Sequence, residues 1–349
     1  MNSVNTKATA VLYHYPCPDG AFAALAAHLY FSAASLPPLF FPNTVYNPLR
    51  TDQLPLHQID DVYLLDFVGP FGFVEDLSSK VNRVIILDHH KTALEKLSDE
   101  SSFGENVTKV IDIQRSGATI AFDYFKQKLI QDAYGNFDVG SSNYKVLNEF
   151  ERMRRLYEYI EDGDLWKWSL PNSKALSSGF KDLNIEYDTL LNPNLFDQLV
   201  CLDIKCLLYR LCVFLQLLSL DMETMISRGI ASLAHKQKLI EDALNQSYSI
   251  TLGGGAFGRC LAVDADSISE LRSELGHQLA TKSQNSNLRG IGAVVYRVPA
   301  LGNDQMLKIS LRSVRDEDTT RISQGFGGGG HKNASSFMLS STEFQKWKI

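Results

Sequence analysis

Four short apolar runs in the N-terminal part of the chain each end in polar or turn-forming residues, and this pattern restricts the fold more than any other feature. TAVLYH leads into Pro16-Cys17-Pro18-Asp19-Gly20, and DVYLLD ends at Asp66. RVIILD ends at Asp88 and is followed at once by His89 and His90, while VTKVID comes shortly before an expected helix. Short continuous apolar runs bounded by turn residues are typical of buried parallel strands.

Helical patterns follow these runs. The small-residue stretch AFAALAAHLYFSAA predicts a tightly packed helix, and Ser116 is placed to cap a second helix, GATIAFDYFKQKL. Strands that alternate with helices indicate an α/β fold, here a doubly wound and mostly parallel sheet, in which ligands bind outside the carboxyl ends of the strands. We therefore expect Asp19, Asp66 and Asp88 to face one crevice.

The length of 349 residues favours two domains. We predict an N-terminal α/β domain at 1–198, a helical connection at 199–250 and a smaller C-terminal α/β domain at 251–349, since strand and helix patterns resume after Gly253-Gly254-Gly255. The apolar stretch 199–220 contains Asp203, Lys205 and Arg210, so we interpret it as a buried helix or a homodimer surface and not as a membrane span.

The composition, 44% hydrophobic and 21% charged, is that of a soluble globular protein. A net charge of -6 argues against long duplex nucleic acid as a partner, because such binding depends on Lys and Arg, but leaves a small phosphorylated ligand open. The five cysteines contain no CxxC pair, and the N-terminus shows no secretory signal pattern. We expect a protein of the reducing cytoplasm, with no membrane partner.

The residues at the ends of the predicted strands suggest metal-assisted phosphoester hydrolysis. That chemistry uses carboxylate oxygens with some imidazole, and Asp19, Asp66, Asp88, His89 and His90 supply both. Adjacent side chains on a strand point to opposite faces, so both histidines can reach one site only from the turn beyond the strand. One of them could then bind metal while the other faces a substrate phosphate. Hydrogen-bonded turn residues are the alternative interpretation.

Two further segments carry open alternatives. Asp162 and Asp164 flank Gly163 and could either add a metal ligand or form a solvated turn. GFGGGGHKNASSF has GxGxxG spacing, but only 19 residues follow Gly330, too few to complete a dinucleotide-binding βαβ unit. The glycines could instead expose backbone N–H groups to a phosphate, with His331, Arg312 and Arg315 completing an anion pocket. A flexible surface turn is the alternative.

Taken together, HYPCPDGAFAAL, LLDFVGP, ILDHH, RSGAT, YIEDGDLW and LRS with GFGGGGHKNAS resemble the DHH phosphoesterase superfamily with its C-terminal DHH-associated domain. The resemblance is to oligoribonuclease-like and phosphoadenosine phosphatase-like members. It implies a Mn²⁺-dependent hydrolase of phosphoester bonds, with Mg²⁺ as a substitute, that acts on a small nucleotide or a short single-stranded oligonucleotide.

The resemblance also implies roles for individual residues. Asp66 would bridge two metal ions, and Asp19, His89 and one acid of the IEDGD segment would complete one of them; we favour Asp162 over Asp164. Asp88 would hold the ligands in place, and His90 would contact the substrate phosphate. A hydroxide activated by the metals would attack phosphorus. The substrate-binding residues implied in the C-terminal domain are Arg312, Gly328, Gly329, Gly330 and His331.

The first motif departs from the family pattern. Cys17 stands where the family has the first of two aspartates, and His14 precedes it by three residues. Cys17 could be a thiolate ligand, which favours Zn or Fe over Mn, or it could be a bystander. Cys17 therefore keeps a second function open, a catalytically degenerate nucleotide-binding or regulatory protein. A pyrophosphatase or polyphosphatase is a third alternative.

Overall fold

The computed structural model describes residues 8–36, 38–44, 47–97, 104–135, 141–201, 222–298 and 302–349. The chain divides into two compact units, Met1–Ser232 and Leu233–Ile349, and each contains one β-sheet. Most of the stretch 199–220, predicted as a buried helix or dimer surface, lies outside the described residues, as does part of the connection predicted at 199–250. Within the part of the chain that is described, no helix is long and apolar enough to cross a membrane.

The sheet of the first unit is entirely parallel and has the strand order β2-β1-β3-β4-β5. Its strands are β1 (Ala8–Tyr15), β2 (Leu39–Thr44), β3 (Ile59–Leu65), β4 (Arg83–Asp88) and β5 (Val107–Ile111). Both faces are buried, since alternate residues of one strand enter different cores: Val11 and Tyr13 pack into one, Ala10 and Leu12 into the other. This explains the continuous apolar runs and confirms the predicted fold class for this unit.

Helices cover both faces of this sheet. They are α1 (Pro18–Ala33), α2 (Phe73–Ser78), α3 (Lys91–Lys96), α4 (Gly117–Gly135), α5 (Ser141–Asp164), α6 (Ser173–Asp182), α7 (Leu195–Cys201) and the first part of α8 (Met222–Asn245). The core on one face contains residues of α1, α4 and α5, and the core on the other contains residues of α2 and α3. Five of the six alanines of α1 are completely buried, which lets this helix pack closely, as its small-residue composition predicts.

Strand β2 was not predicted. Its sequence LFFPNT contains Pro42, which has no backbone N–H and is disfavoured inside a sheet. The strand lies at the sheet edge, where it pairs only with β1 among the described strands, so that Pro42 is tolerated.

The second unit has a mixed six-stranded sheet of order β10-β11-β9-β8-β7-β6. Its strands are β6 (Tyr248–Thr251), β7 (Arg259–Asp264), β8 (Ile291–Tyr296), β9 (Met306–Ser313), β10 (Gly329–His331) and β11 (Ala334–Ser340). Only β7 and β8 run parallel, joined by α9 (Arg272–Asn285); α10 (Thr320–Gly325) and α11 (Ser341–Gln345) complete the described helices. The unit is α/β, as predicted. A 3₁₀ segment, Asp266–Leu271, comes directly before α9.

Candidate active site

The carboxyl edge of the parallel sheet collects the acidic residues that end its central strands. The chain crosses from β1 to β2 on one side and returns to β3 on the other, so the topological switch point lies between β1 and β3. Asp19 follows β1, Asp66 follows β3 and Asp88 ends β4, and each is only 1% exposed. Buried carboxylates need a partner that balances their charge. Three of them at one edge of the sheet are therefore typical of a ligand site and not of a solvated turn.

The turn from β1 into α1 is set by close backbone packing. Pro18 begins the helix, and the carbonyl of Cys17 accepts a hydrogen bond from Ala21 N at 3.1 Å. A Cβ atom on Gly20 would lie 2.2 Å from the carbonyl oxygen of His14, so only glycine lets α1 begin this close to the strand. The turn therefore keeps His14, Cys17 and Asp19 within one short segment.

Asp66 takes an unusual backbone conformation directly after β3. Its φ is +64°, in the left-handed region that aspartate tolerates better than most residues, and its N–H donates to Leu87 O at 2.8 Å. Gly117 is needed opposite it, because a Cβ there would lie 2.7 Å from the Asp66 Cβ. The backbone at the N-terminus of α4 thus packs directly against the Asp66 side chain, with no room for a side chain at Gly117.

Two imidazoles contact the Asp66 carboxylate. His14 Nδ1 lies 3.0 Å from Oδ2, and His89 Nε2 lies 3.1 Å from Oδ1. Burial alone would raise the pKa of Asp66, but the contacts with His14 and His89 lower that pKa to about 2. Asp66 is therefore ionised across the physiological pH range and can bind cations on both sides, as a bridging ligand must.

His89 Nε2 faces three carboxylates at once. It lies 3.1 Å from Asp66 Oδ1, 3.6 Å from Asp19 Oδ2 and 3.6 Å from Asp164 Oδ2. A single ring N–H can donate to only one of them. Ligand atoms around one ion with bonds of about 2.1 Å stand roughly 3.0–3.4 Å apart, so these separations are close to those of a coordination shell.

Burial and neighbouring charges shift the pKa values of His89, Asp19 and Asp164. Burial would lower the pKa of His89, but the carboxylates, first Asp66, raise it to about 9. Burial, followed by repulsion from Asp66, raises the pKa of Asp19 and of Asp164 above the ordinary aspartate value. A bound divalent cation would remove this repulsion and favour the charged carboxylates.

Two sets of donor atoms each lie within 4.8 Å of one another around Asp66 and His89. We name them the sulfur group, formed by His14, Cys17 and Asp66, and the carboxylate group, formed by Asp19, His89 and Asp164. A third set of the same compactness, Asp66, His89 and His90, joins them. Asp66 Oδ1 is buried and accepts no well-directed hydrogen bond from the described residues. A buried carboxylate oxygen without a hydrogen bond, surrounded by oxygen, nitrogen and sulfur donors, fits a metal site.

The acids of the IEDGD segment have different surroundings. Asp162 Oδ1 accepts hydrogen bonds from Ser169 N at 2.9 Å and Ser169 Oγ at 2.5 Å, and Oδ2 accepts one from Leu170 N at 3.3 Å. Asp164 instead lies in the carboxylate group. This placement is the reverse of our preference for Asp162, and the reason is local: α5 ends at Asp164, and the chain that follows turns back over Asp162.

Asp88 organises the turn that carries both histidines. Its Oδ1 accepts hydrogen bonds from His89 N at 2.7 Å, His90 N at 3.3 Å and His90 Nδ1 at 2.8 Å. The hydrogen bond with Asp88 raises the pKa of His90. The His90 side chain is 43% exposed, so its second nitrogen is available to a ligand while the first is held by Asp88.

Sequence reasoning missed the contacts that hold the start of α4. Asp19 accepts hydrogen bonds from Gly117 N at 2.7 Å and Ala118 N at 3.0 Å. Glu161 accepts one from Ser116 N at 3.2 Å and another from the Thr119 hydroxyl. The predicted cap by Ser116 is present, with Thr119 N 3.3 Å from its Oγ. The motif RSGAT was the available signal, since it gives a helix start with unpaired N–H groups that acidic residues can accept.

The C-terminal glycine segment forms the exposed strand β10 and the turn that leads into β11. Ala334 on β11 pairs with His331 on one side and with Arg312 of β9 on the other, which places the His331 and Arg312 side chains in one row. Directly paired residues point to the same face of a sheet, about 10 Å apart across two strand spacings. His331 is exposed, and Arg312 Nη2 donates to Ser273 Oγ at 3.0 Å. Substrate binding by this row and by Gly328, Gly329 and Gly330 stays a prediction.

Comparisons with known proteins give distant similarities. No family model matches the sequence. An uncharacterised protein of Acanthamoeba polyphaga mimivirus is 22% identical over 344 residues, which are 95% of this chain and 67% of that protein. PggH, a pGpG-specific phosphodiesterase from Vibrio cholerae, is 12% identical with a TM-score of 0.44, over 97% of this chain and 96% of its own. An exopolyphosphatase-related protein from Bacteroides fragilis is 13% identical with a TM-score of 0.38, over 98% and 90%. Values this low do not establish a shared activity, so the case for function depends on the site.

Proposed function

We propose that this protein is a divalent-metal-dependent phosphoesterase of the DHH type that hydrolyses nucleotides or short single-stranded oligonucleotides. The observation that carries the proposal is the position of Asp66, a buried carboxylate that belongs both to the sulfur group and to the set with His89 and His90, and that lies 3.1 Å from His89 of the carboxylate group. Two cations held by a common carboxylate are a recurrent arrangement for displacement at phosphorus.

The donor atoms favour different metals at the two positions. The carboxylate group offers oxygen and imidazole nitrogen, which suit Mn²⁺ or Mg²⁺. The sulfur group adds the Cys17 thiol, whose pKa is raised by burial and by the charges of Asp66 and Asp19. A cation reverses that effect, because a coordinating thiol loses its proton, and a thiolate ligand favours Zn or Fe. When bound, the cations would activate a water molecule and offset the charge of the phosphate.

Residues of the chain would hold the cations and donate a proton to the substrate. Asp66 and the carboxylate group hold the cations, and the start of α4, fixed by Asp19 and Glu161, keeps Asp66 in its strained position. His90, with Nδ1 bound to Asp88, can donate a proton from its second nitrogen to the phosphate or to the departing oxygen. Loss of Asp88 would leave both histidines without the acceptor that orients them.

A small nucleotide substrate is supported by two features of the chain. The net charge of -6 provides no general attraction for long polyanions, and the row of Arg312 and His331 offers a local site for an anion. The cytoplasmic location and homodimer formation expected from the sequence stay predictions.

A substrate screen with controlled metal content tests this function. The metal-free protein, reloaded with Mn²⁺, Mg²⁺, Zn²⁺ or Fe²⁺, would be incubated with dinucleotides, phosphoadenosine phosphate, pyrophosphate and long single strands. We expect hydrolysis of the first two, and loss of it in Asp66→Asn. The variant Asp60→Asn, at an exposed position of the same strand β3, is the matched control and should retain wild-type turnover. Metal binding without turnover of any substrate would favour the regulatory alternative, and turnover of pyrophosphate alone would favour the pyrophosphatase.

A further inference from the structure

Two tryptophans, Trp166 and Trp168, lie shortly after Asp164 of the carboxylate group in the sequence. Trp166 lies two residues after Asp164, and its side chain is 78% exposed. The third tryptophan of the chain, Trp347, is in contrast 1% exposed, in the core of the second unit. A large aromatic ring left in solvent beside a group of metal-binding residues is a candidate surface for a ligand.

The backbone holds these tryptophans in a conformation that bulky residues rarely adopt. The φ angles are +53° for Trp166 and +50° for Trp168. Such strain persists only where surrounding contacts enforce it, and it is concentrated at functional sites. Trp166 N donates to Gly163 O at 3.2 Å, and Trp168 N lies 3.4 Å from Asp162 O. The Asp162 side chain binds Ser169, so Asp162 anchors the segment on both sides of Trp168.

Trp168 supports the exposed ring from one side. The two indoles meet edge to face, with centroids 5.6 Å apart and planes at 78°. Trp168 itself packs at Gly163 and carries Lys174 over its ring at 5.9 Å. Lys167, between the tryptophans, is occupied by Gln114 O at 3.2 Å and by Glu161 at 3.6 Å. The segment therefore presents an exposed aromatic ring, and the lysine between the two tryptophans is held by acceptors of the same unit.

We infer that Trp166 is a stacking platform for the base of the nucleotide whose phosphate the neighbouring cluster receives. This inference rests on the proposed function and names its substrate class: phosphoesters that carry a nucleobase, not inorganic polyphosphates. The Cα atoms of Trp166 and Asp164 are at most about 7.6 Å apart, two peptide spacings, so the indole extends from backbone close to a residue of the carboxylate group. Stacking on an indole accepts any base, because every base has a π-face, and the platform should not select a sequence.

Binding of AMP to the full chain, with Mn²⁺ present, tests the platform without requiring turnover. Titration with AMP should quench tryptophan fluorescence in the wild type, since two of the three tryptophans lie in this segment. In Trp166→Leu, which keeps an apolar side chain but removes the ring, we expect AMP affinity to fall about 5- to 100-fold. Trp166→Phe should recover part of it. Competition by inorganic phosphate should be equal in all three proteins.

The controls separate this inference from the proposed function. Leu190→Ala, at another exposed apolar residue, should leave AMP affinity unchanged. Unchanged AMP affinity in Trp166→Leu would overturn the platform, as would an absence of AMP binding to the wild type. A wild type that hydrolyses none of the screened substrates, yet binds AMP through Trp166, would overturn the proposed function and uphold the platform.

Discussion

The sulfur group and the carboxylate group share an edge of the same sheet but are assembled in different ways. His14, near the end of β1, and Cys17, directly before α1, are three residues apart, and both are partly exposed. Asp19, His89 and Asp164 come from three separate segments of the chain, and both carboxylates lie 3.6 Å from His89 Nε2. Two donors of the sulfur group therefore depend on local chain geometry, and Asp66 joins them from the end of β3, whereas the carboxylate group exists only when the sheet and α5 are in place.

This difference suggests that the two groups tolerate change differently. A different residue at a position such as Cys17, in a local turn, changes the type of donor atom without moving the other ligands. A change in the carboxylate group disturbs a balance of buried charges to which three elements contribute. We therefore expect the carboxylate group to determine whether metal binds, and the sulfur group to determine which metal is preferred.

The largest effect is expected from Asp66→Asn, which removes a member of the sulfur group that also contacts His89 of the carboxylate group. Loss of the bridging charge should lower kcat by about 1000-fold or more, since metal ions contribute several kcal/mol of transition-state stabilisation. Metal content after gel filtration should fall for both positions. Steady-state kinetics and elemental analysis would show this, and wild-type values in both would refute the site.

The paired variants His89→Ala and His14→Ala compare the two groups directly. Removal of His89 should weaken Mn²⁺ binding by more than tenfold, because its Nε2 is the only described nitrogen that faces all three carboxylates. Removal of His14 should weaken Mn²⁺ binding less and Zn²⁺ binding more. Calorimetric titration of each metal gives the comparison, and equal losses for both metals in both variants would show that the groups act as one site.

The same contrast explains how much of the molecule could be predicted from the sequence. The strands β1, β3, β4 and β5 were predicted because their apolar runs are continuous, and Asp19, Asp66 and Asp88 were placed together because parallel strands share a carboxyl edge. Which of Asp162 and Asp164 faces the site depends on the path of the chain after α5. The pattern of apolar and polar residues does not predict that path. Glu161 and Trp166 were missed for a related reason: their roles come from contacts or exposure after folding, not from any spacing.

Cys17→Asp should change metal preference more than activity. The substitution replaces a soft donor by a hard one while His14 and Asp66 stay in place. We expect the ratio of Mn²⁺ to Zn²⁺ affinity to rise by about tenfold, comparable to the smaller effects of altering the surroundings of a metal ligand. Co²⁺-loaded wild type should show a thiolate-to-metal absorption band that Cys17→Ser lacks. The same spectrum in both proteins would make Cys17 a bystander.

Asp88→Asn should cause the smallest change, a shift in the pH dependence of kcat/KM. If protonated His90 donates to the departing oxygen, activity falls as the pH rises through the pKa of His90, because the proton donor is then lost. Asp88 raises that pKa through its hydrogen bond to Nδ1. Asparagine keeps an oxygen acceptor for His89 N and His90 Nδ1 but removes the negative charge, so the alkaline limb should move to lower pH. If the alkaline limb does not move, a group other than His90 causes it. Loss of the acidic limb in the same profile would point to the carboxylate group, whose acids must be ionised to bind metal.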